Sequence, residues 1–299
     1  MRRWRDIDLY GAVLPGWSAF LALLVCLPFF GRGYVLSYDM VWVPHLDLDR
    51  PEVWGLGSGL PRAVPSDAVS ALLNVVLPAA LVQRALLFLA LFLLAWGTGR
   101  LLRRRFLVAQ LAGATFAVWN PYVAERLVLG QWPLLLAVAA FPWLVGALSE
   151  ESPRWRTVTV APAATALTPA TGVMGLLLAA VVGWRHGLVR LTFLAALLNA
   201  PWVVAGILHA DIAKSDPRAV DLFDLQSEGS FSKLSSALSL GGIWNTEVVP
   251  TSRTLLIAVV VGLVIAAVIV VGFVTMWHDD RRLLLTLSVA GAVGLALAL

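Results

Sequence analysis

The chain has 299 residues, of which 60% are hydrophobic and only 13% charged, with a formal net charge of +4. Soluble domains carry about 25% charged residues, so a chain of mean hydropathy +0.84 lacks the polar side chains to cover a water-facing surface, and an ordinary soluble protein is excluded. Nucleic-acid binding is a poor use of the positive charge, because the arginines stand at the ends of apolar runs, and the single Cys26 excludes an intramolecular disulfide.

A helical span needs roughly 20 apolar residues. Apolar runs occur at 10–30, 82–102, 106–119, 133–149, 157–170, 171–187, 190–208, 254–277 and 283–299. They predict an all-α polytopic membrane protein with about nine transmembrane or re-entrant helices, all of 1–299 forming a single transmembrane domain. The runs at 106–119, 157–170 and 171–187 are short or broken by Pro or Gly and are expected to be tilted, re-entrant or extended by flanking residues. The first run follows Met1-Arg2-Arg3-Trp4-Arg5, the charge layout of a signal peptide. No small-x-small cleavage site accompanies Cys26, so the run reads as an uncleaved first span.

The basic residues give an orientation. Arg2, Arg3 and Arg5 precede the first run. Arg100, Arg103, Arg104 and Arg105 follow the second, Arg154 and Arg156 the fourth, Arg185 and Arg190 the sixth, and Arg281 and Arg282 the eighth. If each run crosses once, all of these fall on one side, which the positive-inside rule makes cytoplasmic. The expected location is the plasma (cytoplasmic) membrane, multi-pass, with a cytoplasmic N-terminus and extracytoplasmic loops at 31–81 and 209–253. The last run ends in Leu-Ala-Leu-Ala-Leu with no polar tail, as in an N-terminal fragment of a longer protein.

Between the first two runs, residues 66–81 predict a surface helix. Ser66 is the expected N-cap and Asp67 lies in the first turn. Val69, Leu72, Leu73, Val76 and Leu77 recur at helical spacing, as in a helix lying at the membrane interface. In the link after the third run, Asn120-Pro121 predicts a capped helix start and Gly130 its end.

The chemistry is sought in the wet segments. Asp39 lies just past the first span, where a carboxylate can take a proton from an attacking sugar hydroxyl; the alternative is a solvated loop acid. Asp47 and Asp49 alternate with Leu46 and Leu48, so extended backbone would set both carboxylates on one face. With His45 they offer a weak site for a divalent cation such as Mg²⁺ or Mn²⁺, against solvated charges. Arg126 presents a fork that matches a phosphate, and Glu125 stands beside it; the alternatives are snorkelling to ordinary headgroups or a Glu–Arg pair of little consequence. Arg84 is a weaker version of the same case. Thr165, Thr168 and Thr171 either line a cavity or satisfy backbone groups freed by Pro169. Trp244 and Asn245, in a loop that also carries His209, Asp211, Asp224 and Glu228, suit a sugar face, although interfacial Trp is common. No P-loop, HExxH, GxSxG or Cys-based metal motif is present.

A first span, an extracytoplasmic loop with the early acid in Tyr38-Asp39-Met40, and the interfacial helix at 66–81 resemble the GT-C superfamily of membrane glycosyltransferases. The segments 37–44, 55–65 and 119–132 resemble actinobacterial multi-span proteins similar to the mycobacterial arabinofuranosyltransferases of cell-wall arabinan assembly. The resemblance spans roughly 1–210. It implies a polyprenyl-phosphate sugar donor, a glycan acceptor in the cell envelope, surrounding membrane lipids, Asp39 as base and Arg126 near the donor phosphate. Tyr38, His45, Glu125 and Trp244 are the accompanying substrate-binding candidates. The chain departs from the many GT-C enzymes with two adjacent acids in this loop, because Tyr38 and Met40 flank Asp39. A transporter or flippase for a lipid-linked sugar, and a non-catalytic scaffold of envelope synthesis, are the competing functions. Transfer also requires Asp39 and Arg126 to meet at the outer rim of the bilayer.

Overall fold

The computed structural model describes residues 9–183, 186–214, 216, 218–279 and 281–298. Arg2, Arg3, Arg5 and Arg185, which enter the orientation argument, lie outside them. The described residues are helical, without a strand beyond an isolated bridge between Ser37 and Met40. In chain order the helices are α1 Leu9–Cys26, α2 Ser66–Val76, α3 Ala79–Leu101, α4 Leu107–Val118, α5 Pro121–Leu129, α6 Trp132–Leu148 and α7 Trp155–Thr165. There follow α8 Pro169–Gly183, α9 Leu188–Leu208, the single turn α10 Ala219–Leu222, α11 Lys233–Leu238, α12 Leu256–Asp279 and α13 Arg281–Ala298. Among the described residues four segments are long and apolar enough to cross a membrane: Gly11–Phe30, Ala79–Leu101, Val189–Leu208 and Leu256–Asp279.

Two compact units emerge, one of 1–119 with 130–213, the other of 120–129 with 214–299. In the first, α3 is the hub and packs on α1, α4 and α6; α6 in turn meets α7 and α8. Small residues set these distances. The Trp143 indole fills the space a Cβ at Gly97 would need, and Leu14 does so at Gly99. The ring of Trp143 then meets Trp96 edge-on at 5.1 Å and donates from Nε1 to the Leu93 carbonyl at 3.0 Å. Trp17 of α1 donates to Thr115 of α4 at 2.9 Å. The N–H groups of these two indoles are thus satisfied inside the helix pack.

The segment leaving α1 has no regular partner strand, so side chains at the start of α3 serve instead. Gln83 is buried and pairs with Val35 as a strand would: its Nε2 donates to the Val35 carbonyl at 2.7 Å and its Oε1 accepts from the Val35 N–H at 2.9 Å. Arg84 donates to the carbonyls of Phe29 at 3.1 Å and Gly33 at 2.8 Å, and to that of Gly31. This guanidinium holds loop backbone. Between α7 and α8, Thr171 Oγ1 donates to the Thr165 carbonyl at 2.7 Å and Thr165 Oγ1 to that of Pro162 at 2.9 Å. Of the two roles foreseen for these threonines, satisfying backbone at a proline-broken turn is the one they perform.

The start of α2 corrects an expectation. Ser66 is already the first helical residue, with Pro65 in the cap position, and its hydroxyl donates to the Ala63 carbonyl at 2.9 Å. The Asp67 and Val69 N–H groups reach back to Ala63 and Pro65, so the helical pattern begins before the serine. The helix buries Ser66, Ala68, Ser70 and Ala71, while Leu72, Val75 and Val76 are exposed. Its small side faces the protein and its large apolar side faces out.

In the second unit α12 buries none of its residues. An apolar helix of 24 residues with no buried side chain suits a lipid surround.

Gln83→Leu keeps the size and removes both bonds to Val35. We expect it to lower stability by about 1–3 kcal/mol, read as a lower midpoint of thermal unfolding in detergent; an unchanged midpoint would show that the pairing contributes nothing.

Candidate functional site

In the first unit, the wet loop makes one tight turn at Ser37–Met40, where the Met40 N–H bonds the Ser37 carbonyl at 2.6 Å. Tyr38 is left-handed at φ 38° and exposed. Gly130 lies directly under the turn: a Cβ there would strike Met40 N and Cβ and the Ser37 carbonyl, and its own φ is 86°. Only glycine satisfies both demands. The next two residues complete the mount. Gln131 Nε2 donates to Asp39 Oδ2 at 2.9 Å, and the Trp132 ring packs on Trp42 at 5.8 Å. Asp39 is therefore an exposed carboxylate whose Oδ2 accepts from Gln131.

The rest of the loop turns its leucines inward. Leu46 and Leu48 pack on Val53, Ala68 and Ala71, so the early part of α2 and the loop share one small core. His45, Asp47 and Asp49 are exposed. The chain does not stay extended through these acids, since Arg50 N bonds the Asp47 carbonyl at 3.3 Å and closes a turn. Asp47 also faces the Arg50 guanidinium at 3.6 Å, an exposed pair worth little. Among the described residues no three His, Cys, Asp or Glu side chains gather closely enough to hold a metal ion.

In the second unit, α5 forms as its punctuation predicts: Asn120 Oδ1 accepts from the Val123 N–H at 3.0 Å, Pro121 opens the helix, and Leu129 ends it before Gly130. Arg126 is half-buried, its guanidinium 5.3 Å from the centre of the Tyr122 ring. Glu125 is 1% exposed, enclosed by protein. It meets Glu228, itself 2% exposed. The Glu228 carboxylate is received by the Gly242 N–H, the Ile243 N–H at 3.3 Å and Arg253 Nε at 2.8 Å. Arg253 goes on to Ser239 Oγ at 2.8 Å and lies over the Phe231 ring. A side chain at Gly241 would collide with Glu228. The loop between α9 and α12 is therefore folded around one buried carboxylate. Trp244 stands apart from it, its ring edge-on to Phe223 at 5.0 Å.

A second negative charge beside a buried carboxylate is disfavoured. Burial, then the Glu228 charge and the hydrogen bond to it, push Glu125 up to about 8, against the opposing pull of Arg126 and Arg253. Compared with known protein families, curated proteins and solved structures, the chain matches none.

Asp39 and Arg126 belong to different units. The sequence singled out Asp39 but not Gln131, whose position directly after the helix-ending Gly130 was the available signal. Arg253 carried no local signal, because its partner Glu228 lies 25 residues away.

Two outcomes follow. Glu125 titrates higher in the folded chain than at its ordinary 4.5, so folding takes up a proton; stability is full below the ordinary value and is lost as pH rises through about 8. Glu125→Gln keeps a donor for Glu228 and should flatten that fall in denaturation midpoints; an unaltered pH profile would show that Glu125 is not its source. Gly130→Val must displace the Asp39 turn, and we expect proteolytic cleavage within 31–50 to quicken while the helical content holds; wild-type cleavage rates would contradict the close approach.

Proposed function

We propose that this chain is a multi-pass membrane glycosyltransferase of GT-C type. It moves a sugar, a pentose such as arabinofuranose on the family resemblance, from a polyprenyl-phosphate donor to a cell-envelope glycan outside the cytoplasmic membrane. All nine apolar runs cross or re-enter the bilayer, and α2 lies in the interface with Leu72, Val75 and Val76 toward lipid. The single observation that carries the chemistry is the mounted carboxylate. Asp39 is exposed on a turn that Gly130 lets approach the start of α6, and Gln131 orients it.

The orientation draws support from the basic ends. Arg103 and Arg154 share Glu150 at 3.2 and 2.6 Å, and Arg190 lies over Trp155 at 3.6 Å. These links gather the arginines of several helix ends at one edge of the first unit. That edge is the cytoplasmic one by the charge rule, which puts the Asp39 turn, at the other end of α1 and α3, outside.

In the proposed reaction an acceptor hydroxyl attacks the anomeric carbon of the donor. Asp39 takes the hydroxyl proton as the new C–O bond forms. The bond from that carbon to the phosphate oxygen breaks, and its electron pair leaves with the polyprenyl phosphate. The family resemblance assigns the departing charge to Arg126. Inversion follows from direct displacement.

The test is transfer from a radiolabelled polyprenyl-phosphate sugar to a glycan acceptor by the full chain in nanodiscs. Asp39→Asn should lose about 10²–10⁴-fold in turnover, and Arg126→Gln about 10²-fold. Wild-type turnover by Asp39→Asn would remove the base from the mechanism. Uptake of the lipid-linked sugar into vesicles without any transfer would replace the enzyme with a transporter.

A further inference from the structure

His209 follows the last residue of α9 in the first unit and is nine-tenths buried. Both ring nitrogens meet carbonyl oxygens. Nδ1 is 2.8 Å from the Ala205 carbonyl, one helical turn back, and Nε2 is 2.7 Å from the Gly57 carbonyl, 152 residues earlier in the chain. A carbonyl oxygen only accepts. Two such bonds need two N–H groups, and an imidazole carries two only as the imidazolium. The geometry is thus complete in one protonation state and broken in the other. Loss of either proton turns one 2.7–2.8 Å bond into lone pair against lone pair.

We propose that His209 is a proton-operated latch. As imidazolium it fastens the glycine-rich segment 55–59 of the first loop to the end of α9, and on losing a proton to water it lets that segment go. The side that yields is the loop. Ala205 belongs to a helix, whereas Gly57 sits in a segment with three glycines in five residues. The latched segment is also closely seated: a Cβ at Gly55 would lie 2.8 Å from Ala205 Cβ.

The charged neighbours are few. Asp211 lies two residues on and favours the cation. On the loop, Glu52 reaches the Gly57 backbone, a Cβ there falling 3.1 Å from its Oε1, and Arg62 lies farther along. Of the helices packed on α9, α8 carries no titratable side chain, and Arg156 of α7 stands at the opposite end, beside the Trp155 that Arg190 covers. The bond to Gly57, then that to Ala205, hold His209 above the ordinary imidazole value, against its burial. A raised value means that the latch holds below the ordinary imidazole range and opens as pH rises through the folded one.

The experiment is hydrogen exchange, by mass spectrometry, of the full chain in nanodiscs from about pH 5.5 to about 8.5, corrected for the intrinsic pH dependence of exchange. Peptides covering 55–59 should lose protection by about tenfold in the wild type, the loss of one charge-assisted bond. In His209→Gln, which has no proton to lose, protection should be independent of pH. Nitrogen-15 spectra of histidine-labelled wild type give a reading that needs no variant to fold. His209 should show both ring nitrogens protonated at the acid end and one at the alkaline end. A singly protonated ring at acid pH, or the same pH dependence in His209→Gln, would overturn the latch. Because the readout is structural, it stands or falls apart from glycosyl transfer.

Discussion

Irregular chain beside an apolar helix pack must find partners for its peptide groups, and this constraint shapes both units. A peptide N–H or carbonyl left unbonded away from water costs free energy comparable to a lost hydrogen bond, and the long loops here have no strands to pair with. Side chains replace the strands. Gln83 and Arg84 receive the chain as it leaves α1, and His209 receives the glycine-rich segment behind it. In the second unit Glu228 takes the N–H groups of Gly242 and Ile243. These are charged or amide groups, and every one of them is bonded to backbone.

The same constraint explains what was legible in the sequence. Apolar runs announce helices by composition alone, and each run is helical in the described residues. The α5 helix could be read to its ends, because Asn120, Pro121 and Gly130 are local signals. The start of α2 misled for the matching reason: a serine before an apolar stretch reads as a cap, but the turn at 63–65 had already supplied the first carbonyls. Pairings between distant segments left no local trace. Nothing near Gln83 points to Val35, and nothing near Glu125 points to Glu228. Arg84 shows how a residue type misleads, since a guanidinium that could hold a phosphate instead holds three carbonyls.

For the proposed chemistry the consequence is rigidity where an acid is needed. An aspartate on a free loop would spend most of its time away from a bound hydroxyl. Here the turn carrying Asp39 is fixed from below by a residue without a side chain, from one side by an amide and from the other by two indoles packed at a tilt. Effective catalysis by a base depends on such fixed placement. Arg126, half-buried over Tyr122, is equally constrained within its own unit.

The most direct measurement is photo-crosslinking of the full chain in native membranes with a diazirine-bearing polyprenyl-phosphate sugar, followed by mapping of the labelled peptides. Label on the peptides carrying Asp39 and Gln131, displaced by unmodified polyprenyl-phosphate sugar, is the result predicted for a glycosyltransferase built on this turn. Label confined to lipid-facing helices such as α12, indifferent to competitor, would contradict it.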